Sequence, residues 1–259
     1  MANVSVLGAG SWGLGLALLL NNNGHNVTVW SVLKDEVAML QTEREHKRCL
    51  PGVKIPDSIT VSGDTENVIG SADVLVLAVA SPYTRSTAKM IAPFVKEGQI
   101  IVNVAKGVEE HTLLTLCQIV EEEIPCAKVA VLSGPSHAEE VSRGIPTTCV
   151  IGAHEKATAE YLQNIFMSDV FRVYTSPDIG GALKNVIALA AGIADGLGYG
   201  DNTKAALITR GNAEITRLGV AMGANPHTFA GLSGIGDLIV TCASMHSRNR
   251  RAGILIGKG

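Results

Sequence analysis

The stretch VSVLGAGSWGLGLALLL, residues 4–20, interrupts an apolar run with three spaced glycines, Gly8, Gly10 and Gly13. Residues 4–7 predict a buried strand and residues 14–20 predict a helix, so the glycines fall at the turn between the two. Such a turn has two interpretations. It lets a strand and a helix pack closely without any ligand, or it lets the backbone and the helix N-terminus approach a dinucleotide pyrophosphate.

The residues that follow favour the dinucleotide interpretation. Polar residues 21–24 end the helix, and residues 27–30, VTVW, predict a second strand. A strand before the glycines, a helix after them and a second strand some twenty residues on form the context that this weak pattern needs. We therefore expect Gly8, Gly10 and Gly13 to bind a dinucleotide.

Short apolar runs alternate with helical patterns along the first two thirds of the chain. They lie at residues 74–79, 100–104, 129–132, 149–152 and 171–174. Most of these runs, residues 74–79 above all, are continuously apolar rather than alternating, which is typical of parallel strands covered on both faces. The sequence predicts an α/β fold with a Rossmann-type, parallel, doubly wound sheet.

The pattern changes after Pro177. Residues 180–198 and 204–222 predict helices, and no convincing strand follows them. We expect a dinucleotide-binding domain at residues 1–176 and an all-α substrate-binding and catalytic domain at residues 177–259. Substrates of dinucleotide enzymes commonly bind between two such parts.

Composition excludes several classes of protein. The chain has 259 residues, of which 46% are hydrophobic and 17% charged, and its net charge is −3. This balance predicts a globular protein without a general attraction for nucleic acid. No apolar run reaches the roughly 18 residues that span a bilayer. The five cysteines lack metal-ligand spacing, which favours reduced thiols, no metal site and a cytoplasmic location.

One lysine stands among small and apolar residues. Lys184 lies in GALKNVIALAAG, on a helix that we expect to be largely buried. It either reaches solvent at the helix edge or has a lowered pKa and exchanges a proton with a substrate carbonyl. Asn185 either orients a substrate hydroxyl or is exposed.

Two strand ends carry further candidates. Lys106 follows the strand at 100–104, and Gly134 and Ser136 follow the strand at 129–132, where α/β sheets hold ligands. The alternatives are a solvated lysine and, for Ser136 with Glu139, a capping box at the next helix. None of the seven histidines is assigned a catalytic role.

The last motifs bear charges. Asp237 lies between a glycine and an apolar run, so it either has a cationic partner or caps a helix. The sequence SRNRR, residues 247–251, is the densest positive cluster. It is either a solvated face or a phosphate clamp, in which arginine donors combine with N–H groups of a helix that starts at Ser247.

Seven motifs in this order resemble one known family along essentially the whole chain. The motifs GAGSWG, AKG, SGPSHAEE, GALKN, LITRGNAE, GIGDLIVTC and SRNRR are similar to those of NAD(P)-dependent glycerol-3-phosphate dehydrogenase of the bacterial type. The resemblance implies hydride transfer between NAD(P)H and dihydroxyacetone phosphate, giving sn-glycerol 3-phosphate for phospholipid synthesis. It also implies an all-α C-terminal domain like that of 6-phosphogluconate dehydrogenase, here incomplete.

The resemblance assigns roles position by position. Lys184 would be the catalytic proton donor and acceptor. The substrate contacts would be Lys106, Gly134, Ser136, Lys184, Asp237, Ser247, Arg248 and Asn249, with Asn185 and Thr241 in the same motifs. The cofactor contacts would be Ser11, Trp12, Lys106, Ala138 and Arg248, beside the glycines Gly8, Gly10 and Gly13.

The chain departs from the family in two places. Ser31, Val32 and Leu33 directly follow the second strand. A basic residue at this position is typical of NADPH-dependent relatives and an acidic one of NAD-dependent enzymes, and this chain has neither. The bacterial-type resemblance alone favours NADPH. The family also continues beyond GILIGKG with helices that include a cofactor-contacting glutamate, so we expect an exposed apolar surface and weak or absent activity.

Two other functions fit the same pattern. One is a related two-domain dehydrogenase of a 3-hydroxy acid or ketopantoate, and the other is a dinucleotide-binding module without activity. The sequence leaves a homodimer open.

Overall fold

Eight strands form a single sheet in the computed structural model, which describes residues 1–176, 184–221 and 223–259. The strand order is β3-β2-β1-β4-β5-β6-β7-β8. The strands are β1 Asn3–Leu7, β2 Asn26–Trp30, β3 Thr60–Ser62, β4 Val74–Leu77, β5 Ile100–Asn103, β6 Lys128–Ser133, β7 Thr147–Ala153 and β8 Phe171–Ser176.

Helices separate the strands and then form the rest of the described chain. Those between the strands are α1 Ser11–Asn22, α2 Lys34–Glu43, α3 Thr65–Gly70, α4 Thr84–Ile91, α5 Leu116–Glu123, α6 Ala138–Val141 and α7 Lys156–Phe166. Those after the sheet are α8 Asn185–Gly196, α9 Asp201–Ala221, α10 Pro226–Phe229, α11 Asp237–Ala243 and α12 Arg248–Lys258.

The sheet confirms the predicted fold class and corrects one detail of it. Strands β1 to β6 run parallel in the order 3-2-1-4-5-6, which is that of dinucleotide-binding sheets. The prediction of a wholly parallel sheet is wrong, because β7 pairs antiparallel with β6 and parallel with β8. A strand buried on both faces has the same apolar pattern in either direction. The short β3 was not predicted.

Alternate residues of the central strands enter two separate cores. In β4, Val74 and Val76 belong to the core that includes Leu16 of α1. Leu75 and Leu77 belong to the core that includes Ile91 of α4. Both faces of the sheet are therefore covered, which explains why its strands are apolar at successive positions.

The region between β8 and α8 contains the predicted domain boundary. The last strand ends at Ser176 and α8 begins at Asn185, and residues 180–183 of the predicted helix and Met222 of the next lie outside the described residues. The division at 176 and 177 stays a prediction.

Helices α8 and α12 pack at very close range through glycine. A Cβ atom on Gly192 would lie closer than 3.0 Å to the backbone of Arg250, and one on Gly196 would do so at Ile254. From the first contact to the second, the position moves four residues towards the C-terminus in both helices, so the two helices run in the same direction. The N-termini of α8 and α12, which carry Lys184 and Arg248, therefore lie at the same end of the pair.

Large apolar side chains are exposed on the helices after the sheet, as the resemblance predicts. They are Val186, Leu197, Tyr199, Leu218, Val220, Ile239, Met245, Leu255 and Ile256. Among the described residues no single helix has the length and apolarity to cross a membrane. One bent pair, Pro226–Ala243 with Arg248–Lys258, meets that test by length and composition alone.

Candidate active site

Two of the three glycines after β1 are required by the packing of the protein itself. Gly8 has a φ of +117°, and a Cβ atom there would lie 2.9 Å from the backbone of Ala78, which follows β4. A Cβ atom on Gly13 would lie closer than 3.0 Å to the carbonyl oxygen of Gly8. These glycines bring α1 against the carboxyl ends of β1 and β4, where the strand order of the sheet reverses.

The third glycine leaves open space instead. No atom lies within 4 Å of a Cβ built on Gly10, which is the N-cap of α1. No side chain caps this helix, and the first intrahelical bond runs from Leu14 N–H to the Gly10 carbonyl over 2.9 Å. A helix N-terminus with this space in front of it fits a pyrophosphate. The predicted cofactor residues Ser11 and Trp12 begin the same helix.

The glycines should respond differently to alanine. We expect Gly10→Ala to leave the melting temperature unchanged but to weaken NADH binding at least about tenfold, a change of about 1.4 kcal/mol, because its methyl group occupies ligand space. Gly13→Ala should lower the melting temperature, because its methyl group meets backbone. Thermal melts and calorimetric titration check both. Unaltered NADH affinity in Gly10→Ala would contradict this view of the turn.

A buried carboxylate joins the two predicted lysines. Lys106 lies in the loop after β5, Lys184 directly precedes α8, and Asp237 begins α11. Lys184 Nζ donates to Asp237 Oδ1, and Lys106 Nζ donates to Asp237 Oδ2. The Asp237 side chain is 1% exposed and that of Lys184 is 13% exposed. The lysine therefore does not extend into solvent.

The start of α11 fixes the carboxylate. A π-helical turn, Leu232–Gly236, leads directly into α11, and turns of this kind are frequent at functional sites. One turn further on, Thr241 Oγ donates to the Asp237 carbonyl over 2.6 Å and accepts a hydrogen bond from Lys184 Nζ over 2.6 Å. Thr241, which the family motif contains, thus holds both the helix turn and the lysine.

The charges of this cluster do not cancel. Two ammonium groups share one carboxylate, which leaves an excess positive charge able to stabilise an oxyanion. The pKa of Lys184 is lowered to about 7, mainly by burial and also by the positive charge of Lys106, while Asp237 partly opposes both effects. A lysine with this pKa can donate a proton and recover it near neutral pH.

The segment after β6 joins the cluster to the glycine turn. Lys106 Nζ donates to the Gly134 carbonyl over 3.0 Å, and Ser136 Oγ donates to the same oxygen over 3.1 Å. The capping-box alternative for Ser136 is wrong, since His137 is the N-cap of α6 and no side chain caps that helix. Ala138, the first residue of α6, packs beside Gly15 of α1.

The N-terminus of α12 is open to a ligand. Ser247 caps the helix by accepting the Arg250 N–H over 3.2 Å. Arg248 is exposed, and among the described residues it forms no ion pair. Asn185 is the first residue of α8 and Asn249 is the second residue of α12, but within the described chain no hydrogen bond connects either with the Lys184 cluster.

His137 is a residue whose role the sequence did not indicate. Its Nε2 atom is buried and has no hydrogen-bond partner among the described residues, and its ring lies 5.5 Å from that of His246. Burial lowers the pKa of His137, which favours the neutral imidazole. In the sequence, the only indication that His137 belongs to the site is its position between Ser136 and Ala138, two predicted contact residues.

A Rossmann-order sheet with an open glycine turn, facing a buried lysine of lowered pKa, defines a dinucleotide-dependent oxidoreductase. Comparison with known families makes the class specific. The family described as NAD-dependent glycerol-3-phosphate dehydrogenase matches with its N-terminal part at residues 3–159 and its C-terminal part at residues 174–259. The chain belongs to this family, which confirms the predicted enzyme class and its use of NAD(P).

Individual relatives agree with the family. A glycerol-3-phosphate dehydrogenase [NAD(P)+] of Agathobacter rectalis is 64% identical over 264 residues, covering 100% of this chain and 79% of the relative. One of Fusobacterium nucleatum is 61% identical with coverages of 100% and 79%. The crystal structure of glycerol-3-phosphate dehydrogenase from Coxiella burnetii superposes with a TM-score of 0.95 at 34% identity, covering 100% of this chain and 81% of that one.

Proposed function

We propose that this chain reduces the ketone of dihydroxyacetone phosphate to the hydroxyl of sn-glycerol 3-phosphate, and catalyses the reverse reaction. The observation that carries this proposal is the contact of Lys184 with the buried Asp237, which Lys106 shares. Family membership supplies the substrate: the relatives are named for glycerol 3-phosphate. A reduced nicotinamide dinucleotide whose pyrophosphate is held at the glycine turn would supply the hydride.

The residues of the chain then have distinct tasks. Lys184 gives its proton to the carbonyl oxygen of the substrate as that oxygen becomes a hydroxyl, and in the reverse direction it takes the proton back. Lys106 adds positive charge at the developing oxyanion. Asp237 keeps both ammonium groups in place.

The substrate phosphate binds at the start of α12. There Arg248 offers its guanidinium donors, and the helix N-terminus adds backbone N–H groups. The remaining substrate contacts that we propose are Gly134, Ser136, Asn185, Thr241, Ser247 and Asn249. The cofactor contacts that we propose are Gly8, Gly10, Ser11, Trp12, Gly13, Lys106, Ala138 and Arg248.

The biological setting is part of the proposal. Supply of glycerol 3-phosphate for phospholipid synthesis and a cytoplasmic location are consistent with the family. A homodimer and the lack of a nucleic-acid partner stay predictions.

Paired substrates test the reaction. We expect NAD(P)H oxidation with dihydroxyacetone phosphate and much less with dihydroxyacetone, which lacks the phosphate. With the cofactor at saturating concentration, so that its own contact with Arg248 does not limit the rate, Arg248→Gln should raise the KM for dihydroxyacetone phosphate by about a hundredfold, because a charged hydrogen-bonded contact contributes about 3 kcal/mol. The slow reaction with dihydroxyacetone should change much less. Nicotinamide absorbance measures all four rates.

Other results would support the other two functions. Faster NAD(P)H oxidation with ketopantoate or a 3-keto acid than with dihydroxyacetone phosphate would assign a related dehydrogenase. Cofactor binding in calorimetry without reduction of any of these substrates would assign a binding module. Either result overturns the proposal.

A further inference from the structure

The end of β2 lies directly beside the glycine turn. Gly8 N–H donates to the carbonyl of Trp30, the last residue of β2, over 2.9 Å. In dinucleotide-binding sheets the group at this strand end contacts the adenine ribose: a carboxylate accepts from the 2′-hydroxyl of NAD, and a cation takes the 2′-phosphate of NADP. The exposed side chains Val32 and Leu33 provide neither group.

A carboxylate reaches this strand end from the next helix. Ser31, which follows β2 and is 5% exposed, donates from its Oγ to Glu36 Oε2. The same Ser31 oxygen accepts the Leu33 N–H over 3.1 Å, so the hydroxyl proton is directed to the carboxylate. Glu36 lies in the first turn of α2, five residues after Ser31, the position at which the dinucleotide-binding pattern places an acidic residue.

A buried histidine fixes the second carboxylate oxygen. His46 is 7% exposed, and its Nδ1 atom accepts the Cys49 N–H over 3.3 Å. Its proton therefore lies on Nε2, which donates to Glu36 Oε1 over 3.0 Å. The Glu36 side chain is still 20% exposed, and each carboxylate oxygen has a further lone pair for a ligand hydroxyl.

Cys49 lies between the region of Glu36 and the start of α1, as the groups that affect its thiol show. Burial raises the pKa of the Cys49 thiol, Glu36 raises it further, and Arg48, Arg248 and a hydrogen bond with the Ser11 backbone oppose the increase. The Cys49 thiol thus lies beside Ser11, the first residue of α1, and within the electrostatic range of Glu36. Lys34 and Arg48 are the competing groups, but their exposed side chains would have to be ordered on a phosphate, whereas Glu36 is already held by two donors.

We propose that Glu36, positioned by Ser31 and His46, accepts a hydrogen bond from the adenine-ribose 2′-hydroxyl of NADH and repels the 2′-phosphate of NADPH. The chain therefore prefers NADH, the opposite of the preference that the bacterial-type resemblance favours. This inference rests on the proposed function only in that the glycine turn binds a nicotinamide dinucleotide.

Calorimetric titration without substrate tests the preference. The ligands are NADH and NADPH, together with 5′-AMP and 2′,5′-ADP, which differ from each other only in the 2′-phosphate. We expect the wild-type chain to bind NADH at least about tenfold more tightly than NADPH, because the Glu36 carboxylate faces the negatively charged 2′-phosphate in the NADPH complex. Glu36→Gln should bring this ratio close to one, by tightening NADPH and weakening NADH.

A neighbouring carboxylate provides the matched control. Asp35 lies in the same helix turn and is exposed, so Asp35→Asn removes an equal charge without touching Ser31 or His46. We expect Asp35→Asn to preserve the wild-type ratio, and melting temperatures to show that both variants fold. NADPH affinity equal to or above that of NADH in the wild-type chain would overturn the proposal, as would an unchanged ratio in Glu36→Gln. Because no substrate is present, failure to reduce dihydroxyacetone phosphate would leave this result standing.

Discussion

Replacing Lys184 by methionine should reduce kcat/KM for dihydroxyacetone phosphate by about a thousandfold, within the range that general acid catalysis contributes. Methionine fills similar space but cannot donate to Asp237, Thr241 or a substrate oxygen. NADH affinity should change little, because the glycine turn does not depend on this side chain. Steady-state kinetics and calorimetry measure the two quantities separately.

The pH dependence should identify Lys184 as the acid. Reduction needs the protonated amine, so kcat/KM for dihydroxyacetone phosphate should fall as the pH rises through about 7, the lowered pKa of Lys184. Oxidation of glycerol 3-phosphate needs the neutral amine and should rise over the same interval. The methionine variant should lose both inflections.

An exposed lysine gives the control. Lys156 is 85% exposed on α7, and Lys156→Met should retain the wild-type rate and pH profile. A Lys184→Met variant with more than about a tenth of the wild-type kcat/KM would assign the proton to another donor, because general acid catalysis contributes far more than that.

The central strands could be predicted because burial on both faces leaves a simple pattern. Residues 74–79 are apolar at successive positions, residues 4–7 and 27–30 each carry one polar residue, and all three stretches coincide with strands of the observed sheet. The direction of β7 could not be predicted from the same kind of pattern. The strand β3 has three residues, only one of them buried, and such a segment carries too little hydrophobic signal.

The residue types of the site were visible in the sequence, but their pairing was not. Asp237 and Lys184 each stand out as charges among apolar neighbours, which indicates a partner or a chemical role. That one carboxylate serves both Lys184 and Lys106 depends on the packing of α8 against α11 and on the position of the loop after β5. Glu36 was missed for a related reason: it reaches the end of β2 through Ser31 and His46, which no fixed spacing describes.

Replacing Gly253 by alanine should destabilise the chain by about 3 kcal/mol, the upper part of the usual range for overpacking. A Cβ atom there would lie closer than 3.0 Å to the Leu189 carbonyl oxygen and 2.8 Å from the Ile193 amide nitrogen. Backbone atoms of α8 cannot rotate away as side chains do, so α12 would have to move. For a chain of this size the melting temperature should fall by roughly 6–12 °C.

The same movement should reach the site, because α8 carries Lys184 and α12 carries Arg248 at their N-termini. We expect Gly253→Ala to raise the KM for dihydroxyacetone phosphate even at temperatures where the variant is folded, whereas NADH affinity should change less, because the glycine turn lies outside this helix pair. Gly200→Ala is the control, since no atom lies within 4 Å of its Cβ position. Equal melting temperatures for Gly253→Ala and Gly200→Ala would contradict the close packing of α8 against α12. In that case the distance between Lys184 and Arg248 would not depend on the contact at Gly253.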